Sequence, residues 1–260
     1  MADALNFHMT FPPTPSYIGR ILKIANGTSY SVEEISDMTG IPQGVSSGKV
    51  RPHISYAAYM GLIDEETFKR TKLGETILEE DAMISEKLTQ LLCHTLLTSS
   101  KGAPLWYHLF RVLLPENSFK LSKKMILEKM QQKFGMNIKV TPAVTMYTKQ
   151  FTQLGLLRED GDYIIINPIT YDKEMLYVYA YGLLFEWENV FPDENEITAT
   201  QFNDIKFGAI YGWNNQTEYA ILQSLCDIGV IGMNNQLVPF TIKKHMCSAD
   251  LIEKIYSLLL

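Results

Sequence analysis

The sequence predicts a mainly α fold with small β-hairpins, an α+β class in which tandem winged-helix units are joined by buried apolar helices. Three times along the chain a helix stops at a glycine and an apolar strand and hairpin follow, at Gly61, Gly155 and Gly229. These glycines lie 94 and 74 residues apart, an uneven spacing that argues against a solenoid. The apolar runs between the copies would form helices buried almost all round, which serve as joints.

Composition is that of an ordinary globular protein. Apolar residues make up 46% of the 260 residues, which is enough for packed cores. The first residues lack the basic start and apolar core of a secretion signal, and no run of roughly 18 apolar residues occurs, so we expect a cytoplasmic protein without a membrane span. Cys93, Cys226 and Cys247 include no C-x-x-C pair, which argues against a disulfide framework and a zinc ribbon.

Charge is distributed unevenly around a net value of -6. Residues 1–100 carry 8 Lys/Arg and 12 Asp/Glu, residues 101–158 carry 10 and 2, and residues 159–260 carry 5 and 15, which gives local sums of -4, +8 and -10. A basic middle between acidic flanks suits one segment that faces phosphates while the others face protein. The alternative is that these lysines form an ordinary solvated face.

Four segments follow from the repeated pattern and the charge distribution. Residues 1–80 hold an N-terminal segment and the first winged-helix unit, and residues 81–118 form a helical connector. Residues 119–170 form the second, basic winged-helix unit. Residues 171–260 contain a helical connector and a third, acidic winged-helix-like unit, which is not expected to contact phosphate because of its charge.

The first unit begins with a well-marked helix. Ser31 and Glu34 form an S-x-x-E capping box and Gly40 stops the helix, so we predict a helix over 32–39. A second helix is predicted to begin near Arg51, after a turn, and to end before Gly61. Its outward face is predicted to carry the residues Lys49, Arg51, His53, Ser55 and Tyr59.

The second unit has a candidate helix over 125–134 and a second over 142–154, with Thr141 as N-cap. Apolar side chains recur at spacings of three and four along 144–154 and would face inward. Thr145, Lys149 and Gln153 lie on the other face, and these residue types suit base edges and phosphates. The Asp160-Gly161 pair predicts a tight turn between two strands.

The third unit repeats the pattern with an apolar helical face that includes Ile221 and Leu225. Gly229 stops this helix, and a hairpin is predicted through Asn234-Asn235.

Complete motifs of phosphate, dinucleotide and zinc-protease chemistry are missing from the sequence. GVSSGK at 44–49 has three residues between its glycines where a phosphate loop needs four, so we reject it. No G-x-G-x-x-G or H-E-x-x-H occurs either, and no cofactor is evident. If His8, Asp81 and His94 meet in space, they supply a general base or a metal ligand for phosphodiester cleavage. A divalent metal is then a possible cofactor if the chain is a nickase.

Short motifs resemble the bacterial domain-of-unknown-function 4007 family. They are an opening H-x-T-F-P, a later L-G followed by an acidic residue, a leucine-rich helix with a histidine, and a tryptophan before an aromatic residue. The matching positions are His8, Thr10, Phe11, Pro12, Leu73, Gly74, Asp81, Leu91, Leu92, His94, Trp106 and Phe110. The resemblance implies a place beside sulfur-transfer enzymes in DNA phosphorothioation and anti-phage defence systems, where one member is described as a DNA-nicking component.

Three hypotheses of function remain open. In the first, the chain is a DNA-binding component of such a system, and helix 142–154 enters the major groove of double-stranded DNA. In the second, it is a scaffold that binds only other subunits. In the third, it is a metal-dependent nuclease centred on His8. The residues assigned to DNA in the first hypothesis are Lys49, Arg51, Lys120, Lys123, Lys124, Thr145, Lys149, Gln153 and Arg158.

Overall fold

A computed structural model describes residues 5–44, 48–234 and 239–259. The chain divides into two compact units, Met1–Asn167 and Pro168–Leu260. Among the described residues, the helices of the first unit are α1 (Pro15–Ile24), α2 (Val32–Thr39), α3 (Val50–Tyr59), α4 (Lys72–Glu80), α5 (Lys87–Leu97), α6 (Pro104–His108), α7 (Leu114–Glu116), α8 (Lys123–Phe134) and α9 (Thr141–Thr145). Its strands are β1 (Ile63–Asp64), β2 (Lys69–Arg70), β3 (Lys120–Ser122), β4 (Leu157–Asp160) and β5 (Tyr163–Ile166).

The second unit is smaller and is also mainly helical. Its described helices are α10 (Leu176–Val190), α11 (Ala199–Ile205) and α12 (Asn215–Asp227), and its strands are β6 (Glu196–Thr198), β7 (Ile231–Asn234) and β8 (Thr241–Lys244). Short 3-10 turns cover Lys173–Met175, Gly208–Tyr211 and Ser248–Lys254. As expected from its sequence, α10 is buried along most of its length. Within the described residues no helix combines the length and the apolar character that a membrane crossing requires.

One strand order recurs in the three copies of the repeated pattern, which lie in residues 1–80, 119–170 and 171–260. In the second copy the order is β3-β5-β4, so the strand before the helix pair joins the last strand of the hairpin. In the third copy the order is β6-β8-β7. In the first copy a single bridge from Asn26 to Lys69 takes the place of the first strand, beside the β1–β2 hairpin. The structure therefore supports the predicted α+β class and adds a strand to the predicted hairpins of the second and third copies.

The glycines that end the repeated helices share one backbone conformation. The φ angles of Gly61, Gly155 and Gly229 are +69°, +57° and +73°. Residues with a side chain rarely adopt this left-handed region, so glycine at these points lets the chain leave the helix and enter the hairpin. Gly161 in the β4–β5 turn has a φ of +59° for the same reason. The position of the third hairpin's Asn235 lies outside the described residues.

The first copy confirms one helix prediction and corrects another. Helix α2 has the predicted bounds, with the reciprocal Ser31–Glu34 capping box and Gly40 in the left-handed conformation. Helix α3 forms, but the prediction that His53 faces outward is wrong, because this side chain is fully buried. Its Nε2 accepts a hydrogen bond of 2.9 Å from the backbone N–H of Thr14, which returns over α3 from the start of the chain.

The second copy corrects the prediction of one continuous helix over 142–154. Helix α9 covers only Thr141–Thr145, a π-helical turn covers Met146–Gln150, and a 3-10 turn covers Thr152–Leu154. The helix stops because Phe151 has φ and ψ of -95° and 51°, outside the helical region. The predicted inward side chains are nevertheless buried, which are those of Val144, Tyr147, Phe151 and Leu154.

An aromatic cluster forms part of the core of the first unit. The fully buried Trp106 ring packs edge-to-face on Tyr56 and His8, with centroid distances of 5.6 and 5.8 Å. Phe7 packs on the same tyrosine at 4.9 Å. Because large aromatic rings bury much apolar surface, this cluster holds the N-terminal segment against α3 and α6.

Candidate nucleic-acid interface

The helix predicted to contact DNA is anchored from its inner side. The hydroxyl of Tyr147 lies 2.7 Å from Nδ1 of His94 on the buried helix α5. The next anchor is the indole N–H of Trp106, which donates to the sulfur of Met146 at 3.3 Å. These contacts leave the opposite side of the segment 141–154 at the surface, as the sequence pattern requires.

The outward side chains of this segment differ in their freedom to contact a partner. Lys149 and Gln153 are exposed, and within the described part of the chain no ion pair engages Lys149. Thr145 is half-buried, and its hydroxyl donates to the backbone oxygen of Thr141 at 3.0 Å. Of the three residues predicted to contact DNA from this segment, Lys149 and Gln153 are therefore the most available to a ligand.

The side chain of Asn6, which was not among the predicted site residues, forms hydrogen bonds with the loop before α9. Nδ2 of Asn6 donates to the backbone oxygen of Asn137 at 3.0 Å, and Oδ1 of Asn6 accepts from the backbone N–H of Lys139 at 2.9 Å. This side chain thus mimics a strand partner for two successive polar groups. Because its partners lie over 130 residues away, no local pattern marks it.

Three predicted phosphate ligands are already paired with carboxylates. Lys123 pairs with Glu159, and Lys124 with Glu128 at 3.8 Å. The third pair joins Arg158 to Asp160 at 3.8 Å, and the side chains of all three pairs are well exposed. Exposed ion pairs of this kind contribute little stability, so the cations can exchange these carboxylates for phosphates at small cost.

A groove of about 460 Å³ separates α8 from the start of α9. Its polar lining consists of Lys123, Lys124, the hydroxyl-bearing Thr141 and Thr145, and Glu159, the carboxylate that pairs with Lys123. Its apolar wall consists of Ile126, Leu127, Val140 and Val144. Two predicted DNA ligands on α8 and one on α9 therefore open onto one depression of the surface.

The first copy places its two predicted cations differently. Nζ of Lys49 lies 5.3 Å from the ring centre of Phe11 and 5.9 Å from that of Tyr17, so this half-buried lysine is engaged with aromatic faces. Arg51 is exposed, but it lines a surface groove together with Glu65 and Glu66. The surroundings of Arg51 are thus less favourable to phosphate than those of Lys149.

Lys120 belongs to the sheet of the second copy, where its ammonium lies 4.9 Å from the ring centre of Tyr163. Tyr163 remains 46% exposed, and it is a surface aromatic that the sequence analysis did not select. The signal that would have found Tyr163 is an aromatic residue at an outward position of a strand whose neighbouring strands carry cations.

His8 is a buried imidazole of the aromatic cluster. Its side chain is fully buried, and neither ring nitrogen has a hydrogen-bond partner within the described part of the chain. Burial, together with the charge of Lys139, lowers the pKa of His8 to about 4, so the ring is neutral at pH 7.

Asp81 is the C-cap residue of helix α4 and accepts hydrogen bonds from the residues just before helix α5. Its Oδ2 accepts from the backbone N–H of Glu86 at 2.9 Å, and its Oδ1 accepts from the backbone N–H and the hydroxyl of Ser85, both at 3.1 Å. Burial acts to raise the pKa of Asp81, but these hydrogen bonds outweigh it and the pKa lies below its ordinary value. The carboxylate therefore stabilises the loop that leads from α4 into α5.

His94 belongs to α5 and is fully buried against Tyr147 and Phe110. Within the described residues no group of three or more His, Cys, Asp and Glu side chains is arranged to hold a metal ion. His8, Asp81 and His94 thus do not form a metal-binding triad, and their catalytic role stays a prediction.

These features define a mainly helical chain with small antiparallel sheets and a basic surface on its second copy, and solved structures share its fold. A magnesium-bound crystal structure of SspB superimposes with a TM-score of 0.74 at 13% sequence identity, covering 97% of this chain and 88% of that chain. A second SspB crystal structure gives 0.72 at 14% identity with the same coverage. The chain therefore resembles SspB in fold.

No family model matches the chain, and no curated protein matches it. The resemblance to the domain-of-unknown-function 4007 family, which rests on short motifs, stays a prediction.

Proposed function

We propose that this chain is a DNA-binding component of a bacterial DNA phosphorothioation or anti-phage defence system, acting in the cytoplasm with other subunits. The observation that carries the proposal is the likeness to SspB over 97% of the chain. The sequence motifs independently imply the same kind of system. Neither argument depends on the charge of the chain, which selects the segment that would contact DNA.

The second copy is proposed to act as a winged-helix unit. Its strand, helix, helix, hairpin order and its β3-β5-β4 sheet are those expected for such a unit. Segment 141–154 then takes the place of the recognition helix, and the β4–β5 hairpin is the wing. The inner anchors at Tyr147 and Met146 hold that segment rigidly, which suits contacts with a groove.

Electrostatics favours this copy over the other two. Residues 101–158 carry a net charge of +8, whereas residues 159–260 carry -10. Each phosphate neutralised by a lysine or arginine releases condensed counterions, so a surface of several exposed cations gains affinity at low salt. Lys149 and Gln153 would face the bases, and Lys123, Lys124 and Arg158 the phosphates.

Paired substitutions on the outward face test the proposal. Replacing Lys149 and Gln153 by alanine should weaken binding to a mixed-sequence duplex by roughly tenfold or more, since each lost contact costs about 1 kcal/mol or more. Lys173→Ala, in the exposed start of the acidic unit, is the matched control and should leave the dissociation constant unchanged. Equal binding by the double variant and the wild type would remove segment 141–154 as the reader.

DNA nicking is a second candidate, implied by the family resemblance, and it requires that the buried His8 become accessible to the DNA. Because the described residues offer no metal-binding group of three ligands, no metal-dependent step is assigned to this chain. We expect His8→Ala to abolish conversion of supercoiled plasmid to open circle while duplex binding persists. Nicking that survives the substitution would exclude His8 as the base.

The acidic compact unit Pro168–Leu260 favours the alternative function, which is that of a protein scaffold. An exposed face of α12 carries Gln216, Tyr219 and Ala220, and Lys and Arg are missing from the sequence between Lys206 and Lys243. Such a face suits protein better than phosphate. An affinity for other subunits that does not change with salt concentration, together with no affinity for DNA, would favour the scaffold over the DNA reader.

A further inference from the structure

The sheet of the second copy has an open outer face. Strand register places Lys120, Ile165 and Arg158 side by side across β3, β5 and β4. The next row on the same face consists of Ser122, Tyr163 and Asp160. The alternate residues Leu121, Ile164 and Leu157 are buried on the other face, so the two rows lie on the side away from the core.

This outer face combines an aromatic ring with two cations. Tyr163 is 46% exposed even with the Lys120 ammonium 4.9 Å from its ring centre. Arg158 is 54% exposed in its side chain and lies beside Ile165, in the same row as Lys120. Asp160 is the carboxylate of these two rows, and it pairs with Arg158 at 3.8 Å.

The third copy supplies an internal comparison, because its register is the same. Glu196, Lys243 and Gly232 take the places of Lys120, Ile165 and Arg158. Thr198, Thr241 and Asn234 take those of Ser122, Tyr163 and Asp160. The third copy therefore lacks the aromatic ring, and a glutamate stands where the basic copy has Lys120.

We propose that this outer face binds unpaired nucleotides, with a base stacked on Tyr163 and the adjoining phosphates on Lys120 and Arg158. Sequence-tolerant binding of single strands requires an exposed aromatic face within a cationic surface, because every base has a π-face and every linkage a charge. A duplex hides its base faces, so an aromatic in the open centre of a sheet favours a strand whose bases are free. The inference does not rest on duplex reading by segment 141–154, although Arg158 belongs to both proposed surfaces.

Titration of the full chain with a fluorescent oligothymidylate of about 15 nucleotides, long enough for one such site, tests the proposal. Tyr163→Ala should weaken binding about tenfold, since stacking of one base is lost. Tyr163→Phe should bind within about twofold of wild type, because the ring alone provides the stacking surface. Thr241→Ala, at the corresponding place of the third copy, should change nothing.

Three results would overturn the proposal. The first is a wild-type chain that does not bind the oligonucleotide at low salt. The second is a Tyr163→Ala variant that binds it as tightly as wild type. The third is a Tyr163→Phe variant that binds it as weakly as Tyr163→Ala. Lys149→Ala separates the two surfaces, because it should lower duplex affinity and spare oligonucleotide affinity. The folded fraction of each variant is checked by its thermal unfolding, so loss of the fold is not mistaken for loss of stacking.

Discussion

The hydroxyl of Tyr147 lies 2.7 Å from Nδ1 of His94, and this contact joins the segment proposed to read DNA to the buried helix α5. The two residues are 53 positions apart, and both side chains are buried. A buried hydrogen bond between side chains is geometrically demanding, so it fixes the rotation of segment 141–154 about its axis. The outward direction of Lys149 follows from that rotation.

Removal of the Tyr147 hydroxyl is therefore expected to destabilise the first unit. Tyr147→Phe should lower the free energy of unfolding by about 1 to 2 kcal/mol, because a buried hydrogen bond is lost while the ring is kept. Urea denaturation measures the change, with Tyr163→Phe as the exposed control. An unfolding free energy equal to that of wild type would show that the contact does not hold the segment.

Two buried histidines should make the fold acid-sensitive. Burial lowers the pKa of both imidazoles from 6.5 to about 4. The charge of Lys139 adds to this effect at His8, whereas the hydrogen bond to the backbone carbonyl of Lys49 partly opposes it at His53. The stabilisation from the two imidazoles is complete above pH 6.5 and is lost as the pH falls toward 4, because the unfolded chain binds the protons first. At about pH 5 each should cost about 2 kcal/mol of unfolding free energy.

His8→Phe isolates one of these contributions, since the ring contacts with Phe7 and Trp106 remain possible for phenylalanine. Urea denaturation at about pH 7.5 and about pH 5 should show a smaller loss of stability in the variant than in wild type. Equal losses in the two proteins would mean that His8 is not buried as a neutral ring.

Asp81 should contribute to stability through the loop that leads from α4 into α5. Asp81→Ala should lower the free energy of unfolding by about 1 kcal/mol or more, because the N–H groups of Ser85 and Glu86 lose their acceptor. Glu79→Gln, an exposed carboxylate on α4, is the control and should have little effect. Wild-type stability in Asp81→Ala would leave catalysis as the better account of this residue.

The glycines that end the repeated helices should be required because of their left-handed backbone conformation, and not because a side chain would lack room. At Gly155, no described atom lies within 4 Å of the position that a Cβ would take, but φ is +57°. Gly155→Ala should therefore cost about 1 to 2 kcal/mol from the left-handed conformation alone. At Gly74 a Cβ would lie 2.0 Å from the backbone oxygen of Leu62, so Gly74→Ala should cost more. Thermal unfolding compares the two variants, and an order opposite to this one would contradict the explanation.

Local signals were sufficient where one short stretch determines the structure. Helix α2 was predicted with its observed bounds because the Ser31–Glu34 capping box and Gly40 mark both of its ends. The Gly161 turn followed from the same kind of local chemistry. Helical periodicity likewise placed Lys149 on the outward face, and this side chain is exposed in the structure.

Contacts between distant residues could not be predicted from one stretch. His53 was expected outside because helix periodicity does not reveal that Thr14 returns to cover it, 39 residues away. The short strands β3 and β6 were missed because three residues carry little alternation, and both depend on pairing with a later hairpin strand. The outer sheet face was missed for the same reason, since Lys120, Tyr163 and Arg158 meet only through strand register.

The central claim is that the second copy binds duplex DNA through exposed cations. The most direct measurement is the dissociation constant of the purified chain for a mixed-sequence duplex at two salt concentrations. The account predicts a steep loss of affinity as salt rises, with a slope of log K against log salt of about -0.9 for each phosphate contacted. Affinity that does not change with salt, or no affinity at low salt, would contradict it.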